Sequence, residues 1–175
     1  MAVKALAATY FNGELEIPNI SGSSNVEVEN LAALNWMIRK HESKFIHGLL
    51  GDNLYTLYAA AIAATPAITL GIYFDLNAQI YREDSTNRVY QSPAANYVYF
   101  HFWRNNQTQT LSMGEAKSKA ENADVISING KLILAWNEMS EKVDEIREWI
   151  VNHISSYATY TTEGQEDYSP LTPFF

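Results

Sequence analysis

Cysteine is absent from this chain of 175 residues. That excludes disulfides, thiolate metal sites and a thiol nucleophile. Basic charge is scarce: 12 Lys and Arg against 20 Asp and Glu leave a net charge of −8. No run of Lys and Arg exists to build a basic patch, which argues against a surface that tracks phosphates, though not against a wall that repels DNA. Long hydrophobic runs are missing too, because no segment approaches the roughly 18 apolar residues that span a membrane. The opening MAVKALAATYF is too short and too broken in its apolar run for a secretory signal. These absences lead us to expect a soluble protein, cytosolic when made. The chain also lacks G-x-G-x-x-G, Walker A and G-x-S-x-G patterns, so no nucleotide cradle of those types and no nucleophile elbow is visible.

What is present is aromatic. Phe, Trp and Tyr make up 13% of the residues, with 11 Tyr, while charged residues reach only 18%. Tyr and Trp suit protein–protein interfaces, where one end packs and the other hydrogen-bonds. An aromatic-rich core explains the same composition, and composition alone does not choose. The length suits one domain with room for a core.

Residues 1–24 hold Gly13, Pro18 and the run SGSS, and are expected to form an extended N-terminal arm with a short strand near Leu15 to Ile17. Ser24 and Glu27 have capping-box spacing. Val28, Leu31, Leu34, Ile38, His41, Phe45 and Leu49 then step by threes and fours, one face of a helix or of two helices broken near His41. Gly51 suits a helix stop, and Asp52 a cap for a second helix over Asn53 to about Ala64. A third helix is expected over about Ala67 to Leu76. IYREDSTNRVYQ reads as a short β-hairpin with strands Ile80 to Glu83 and Arg88 to Gln91 and a turn at Asp84 to Asn87.

Ser92-Pro93 is a helix start, Ser as N-cap and Pro at the first position. The helix it opens carries YVYFHFW, Tyr97 to Trp103, and should end near Asn105-Asn106. A strand over the same residues remains open, and the Ser-Pro cap favours the helix. From Gln107 to Ile128 no steady period holds, which suggests a mid-chain arm with short strands at Thr108 to Met113 and Asp124 to Ser127. Leu132, Trp136, Met139, Val143, Ile146, Ile150, His153 and Tyr157 mark the seam of a last, amphipathic helix. After Ala158 the tail, residues 159–175, either docks on a neighbouring surface through Phe174-Phe175 or stays disordered. The expected fold is mainly α: a small helical bundle, residues 1–158, with a short β-hairpin and extended N-terminal, mid-chain and C-terminal arms.

A search for chemistry returns nothing above background. His41-Glu42 begins like the zinc-protease H-E-x-x-H, but Phe45 occupies the place of the second His. His101 sits among aromatics and His153 in the apolar seam, where both read as packing residues. Asp144, Glu145 and Glu148 belong to a solvated helix face. We therefore expect no catalytic residue, no metal and no cofactor.

The segment ANYVYFHFWRNNQTQTLSMGEAKSKAENADVISINGKLILAWNEM, Ala95 to Met139, resembles the head-to-tail connector proteins of tailed bacteriophages, more narrowly those of crAss-like and other Bacteroidetes phages. The resemblance lies in an aromatic helix ending in Arg104-Asn105, a Thr-rich arm with Thr108 and Thr110, then Gly114-Glu115, Ala120-Glu121-Asn122, and a helix carrying Ala135 to Met139. KFIHGLLGDNLY, Lys44 to Tyr55, and GELEIPNI near the start resemble the same family. No single motif is diagnostic; their order and spacing carry the likeness.

The resemblance implies a small helical adaptor that forms a ring of about twelve copies by heterologous contacts under the portal vertex. Such a ring joins portal protein to neighbouring neck or tail proteins and continues the DNA channel without binding DNA specifically. Its place is the virion neck, after assembly in the host cytoplasm, with no membrane involved. It implies no enzyme activity. Under this reading the interface candidates are Tyr97, Tyr99, Trp103, Arg104, Thr108, Thr110, Gly114, Glu115, Lys117, Glu121, Asn122, Tyr168, Phe174 and Phe175. Two alternatives stand beside it: a stopper or tail-completion protein of the same neck, and a small bacterial helical ligand-binding domain or enzyme.

Overall fold

The computed structural model describes residues 4–64, 71–84, 89–90, 92–106, 108–111, 114–117, 129–153, 155, 157 and 160–172. Its elements in order are α1 (Asn25–Leu50), α2 (Asp52–Ala63), α3 (Gly71–Ile80), β1 (Glu83–Asp84), β2 (Val89–Tyr90), α4 (Pro93–Asn106), β3 (Thr108–Leu111), β4 (Gly114–Lys117) and α5 (Asn129–Asn152). The fold is mainly helical. Two single-turn 3₁₀ helices, Ala8–Tyr10 and Gly13–Leu15, precede α1.

Local chemistry sets the boundaries. The Ser24 side chain accepts from the Glu27 amide while Glu27 reaches back to the Ser24 amide, completing the capping box. From there α1 runs unbroken for 26 residues, so the break considered near His41 does not occur. Gly51, at φ +76°, ends α1, and its own amide still bonds the His47 carbonyl. Asp52 is the first residue of α2 rather than its cap. Its carboxylate lies 2.9 Å from His47 Nε2, where a negative charge also suits the start of a helix. Ser92 caps α4 as expected: its Oγ accepts from the Ala95 amide at 3.4 Å and donates to the Ile80 carbonyl at 3.0 Å.

The short β-hairpin is not supported as expected. Ile80 is the last residue of α3, which consumes the start of the first strand. Only a two-residue antiparallel pairing remains, Glu83 with Tyr90 and Asp84 with Val89, and the turn at 85–88 lies outside the described residues. The third helix is described over Gly71–Ile80, ending past the expected Leu76, while its expected start near Ala67 lies outside the described residues. The mid-chain arm opens as a second antiparallel pair, β3 with β4, from Thr108–Lys117 to Leu111–Gly114. The strand expected at Asp124 to Ser127 lies outside the described residues.

The core sits where α4 packs between α1 and α5. Leu34, Phe45 and Leu49 of α1, Val98 of α4, and Met139, Val143, Ile146 and Ile150 of α5 are wholly enclosed. The N-terminal segment is no free arm. Leu6, Tyr10, Phe11, Leu15 and Ile17 are buried, and the Leu6 amide donates to Glu42 Oε1 at 2.8 Å. The strand expected at Leu15 to Ile17 gives way to the 3₁₀ turn Gly13–Leu15. The seam of α5 holds to Ile150, but the helix stops at Asn152. His153 is exposed, its ring stacked on Trp149 at 4.3 Å, which corrects its placement in the apolar seam. Tyr157 still enters the core from beyond the helix end, its hydroxyl donating to the Ile72 carbonyl.

The apolar face of α1 begins later than its spacing suggests. Val28 is 54% exposed, and Leu34 is the first buried residue of the helix. Phe45→Ala should therefore lower stability by about 3–5 kcal/mol, and Val28→Ala should stay within about 0.5 kcal/mol. Urea unfolding of both variants checks this. Equal losses would contradict the burial pattern.

Candidate functional site

The aromatic helix α4 is buried almost all round. From Pro93 to Tyr99 every residue is buried, as is Phe102. A helix without a polar face must be enclosed by other elements, and here the enclosure comes from the chain itself. Asn96 ties α4 to α5, its Nδ2 donating to the Ala135 carbonyl and to Glu138 Oε2, both at 3.0 Å. The Tyr97 ring lies at the centre of a cluster drawn from four segments. Its neighbours are His41 and Phe45 of α1, at 5.9 and 5.2 Å between ring centres, His101 at 4.4 Å, Trp136 of α5 at 6.1 Å and Tyr168 of the tail at 6.0 Å. The edge-on and tilted angles are those that aromatic quadrupoles favour.

The C-terminal tail docks on its own domain. Glu166 donates its amide to the Gly48 carbonyl at 2.8 Å, and the Asp52 amide donates to the Glu163 carbonyl at 3.0 Å. Arg147 of α5 donates to the carbonyls of Gly48 and Glu166 at 3.2 and 2.7 Å, with its guanidinium near the Tyr168 ring. A Cβ on Gly48 would collide with the Tyr168 hydroxyl, so any larger residue would force the tail to shift where it crosses α1. Further on, Trp136 Nε1 donates to the Ser169 carbonyl, and Asn137 exchanges hydrogen bonds with Leu171. Neither a disordered tail nor one docked on a neighbour describes residues 160–172.

The interface candidates consequently divide. Tyr97, Tyr99 and Tyr168 are buried within the chain itself. Trp103 is half-buried, and Arg104 is exposed in the last turn of α4. Thr108, Thr110, Gly114, Glu115 and Lys117 fall on β3 and β4, where the backbone pairing alone is described. Glu121, Asn122, Phe174 and Phe175 lie outside the described residues. The exposed apolar side chains that sequence reading missed are Val26, Trp36, Leu57, Leu134 and Val151. Val26 precedes the expected seam and Trp36 falls between its positions, so the periodicity gave a reason to leave both out.

Two groups of polar side chains gather inside the fold. In the first, the Tyr81 hydroxyl donates to Glu42 Oε1 at 2.6 Å, and Asn77 Nδ2 donates to the Tyr58 hydroxyl at 2.8 Å and to the Lys4 carbonyl at 3.1 Å. Burial raises both phenols, Tyr58 to about 12. These bonds pin the N-terminal segment, which gives them a structural role. In the second, the His41 and His101 rings stack in parallel, 4.4 Å apart with 6° between planes. Burial, and then the neighbouring His41, Arg104, Lys44 and Lys40, push the His101 imidazole down to about 4. Burial, Lys40 and Lys44 lower His41 as well. Among the described residues no group of three or more His, Asp or Glu is placed to hold a metal ion, and no helix is long and apolar enough to cross a membrane.

Two outcomes follow. Arg147→Ala should free the tail, exposing residues after about 160 to limited proteolysis and lowering stability by about 1–3 kcal/mol; unchanged cleavage would contradict the clamp. The histidine pair fixes a pH dependence. A histidine with a lowered folded pKa leaves the unfolded state holding more protons, so stability is lost as pH falls from about 6.5 toward about 4. Urea midpoints of the wild type and His101→Phe at about pH 7.5 and about pH 4.5 should show the wild type losing more on acidification. A constant gap would contradict the assignment.

No known protein family, no curated protein and no solved structure matches this chain.

Proposed function

We propose that this chain is a structural ring subunit of a tailed-phage neck, a head-to-tail connector whose work is assembly rather than catalysis. The observation that carries the proposal is the free end of α1. Residues 25–33 are half-buried or exposed, and Val26 and Val28 are 59% and 54% exposed in the first turns of the helix. Trp36, about two turns beyond Val28, is 49% exposed. Apolar groups displayed on exposed helical turns are open to burial against a second copy.

A head-to-tail ring needs two different surfaces, one for each neighbour. The second is a cleft of about 310 Å³ between the Gly13–Leu15 turn and the start of α5, with Leu134 exposed at its edge. The resemblance of Ala95 to Met139 to phage connectors supports the same reading, as does the β3–β4 pair that leaves the end of α4. The net charge of −8 suits a channel past which DNA slides. Portal protein and the next ring of the neck are the partners this function requires.

Light scattering and negative-stain microscopy, with and without portal, test the reading. The expected result is a chain recruited into rings by portal, and a Val26→Asp, Val28→Asp double variant that keeps its unfolding midpoint but loses ring formation. A chain that stays monomeric with portal and instead holds a small molecule tightly would sink it.

A further inference from the structure

The acidic chain carries a cationic cleft on its surface. It lies between α1 and the last turn of α4, has a volume of about 250 Å³, and is lined by Met37, Lys40, His41, His101, Arg104 and Asn105. No basic run in the sequence announces it; two helices assemble it from single residues. Lys40 and Lys44 stand one turn apart on α1, and Arg104 comes from the facing helix. Among the described residues no carboxylate forms an ion pair with any of the three.

The wall supplies a second observation. His41 is only 9% exposed, and its Nδ1, itself enclosed by protein, has no hydrogen-bond partner among the described residues. A buried polar nitrogen left unsatisfied is costly, and such groups are normally matched by a partner. The groups facing His41 are Lys40 and Lys44 on its own helix and Tyr97 and His101 on α4. Cations and donors dominate this set. Arg104 in the last turn of α4 has a structural use of its own, complementing the helix dipole. Lys40 lies over the Trp36 ring at 4.7 Å, which holds its ammonium near α1. Neither use satisfies His41 or explains why α1 adds cations beside it.

We propose that this cleft binds a phosphate group, held between the Lys40 ammonium and the Arg104 guanidinium, with Asn105 as a further donor and the stacked His41 and His101 rings forming the wall beside it. A tetrahedral oxyanion presents oxygens on several sides at once, which suits donors that converge from two facing helices. A bound dianion would also offset the mutual repulsion among the Lys40, Lys44 and Arg104 cations that crowd this face. The phosphate could come from a nucleic-acid backbone or from a free phosphate compound, and the two sources share this chemistry. The inference does not depend on ring formation.

The test is ¹⁵N-edited NMR of the histidine rings of the full chain during titration with inorganic phosphate, with sodium chloride at matched ionic strength as control. A short single-stranded DNA and a nucleoside monophosphate form the other arms. His41 and His101 should shift with phosphate and not with chloride, and Lys40→Gln and Arg104→Gln should each weaken binding by about tenfold or more. Both residues are exposed, so these variants keep the fold, which an unchanged unfolding midpoint verifies. Tighter binding of the DNA, lost in the same variants, supports the site and makes the backbone its source. Tighter binding of the monophosphate supports the site and makes a free compound its source. Histidine shifts identical in chloride, or phosphate binding unchanged in both variants, would overturn the proposal.

Discussion

The burial of α4 is the constraint on which the rest of the structure depends. A helix reading PAANYVYFHFW offers water no polar face, so it is stable only when other elements enclose it. Here α1 and α5 take opposite sides, and the N-terminal segment and the C-terminal tail lie over what remains. Tyr97 shows the arrangement at one residue, with rings from α1, α5 and the tail around it. The polar ties follow the same logic. Asn96 locks α4 against α5, Ser92 locks its start to the end of α3, and Arg147 fastens the tail across α1.

This enclosure changes how an aromatic-rich chain is understood. Tyr and Trp in such numbers suit an interface or a core equally well by composition. Most of the aromatic helix is satisfied within the chain, so the proposed assembly would have to use surfaces elsewhere. The first turns of α1 are exposed, and they do not belong to the aromatic stretch.

Local signals were the most legible part of the sequence. The Ser24–Glu27 capping box, the Ser92-Pro93 start, the Gly51 stop and the α5 seam from Leu132 to Ile150 each depend on neighbours within a few positions, which a sequence displays directly. Long-range partnerships were not legible. Tyr168 looked like part of a loose tail because the Gly48 carbonyl and the Arg147 guanidinium that hold its segment lie far away in the chain. The α1 periodicity included Val28, yet periodicity states which residues share a face and not whether anything covers it. The cationic cleft escaped for the same reason: Lys40 and Arg104 are 64 positions apart (104 − 40) and meet only through the packing of α1 on α4. The search for catalytic motifs could not find it, because its signal is convergence in space.

The central claim is that α4 and the tail are completed within one chain, and that the exposed first turns of α1 make the proposed contact. Amide hydrogen exchange, compared between the free chain and the chain assembled with portal, tests it most directly. The account predicts slow exchange at Tyr97 to Phe102 and around Tyr168 already in the free chain, with new protection on assembly confined mainly to residues 25–36. Fast exchange at Tyr97 and Tyr168 in the free chain, slowed only on assembly, would contradict it.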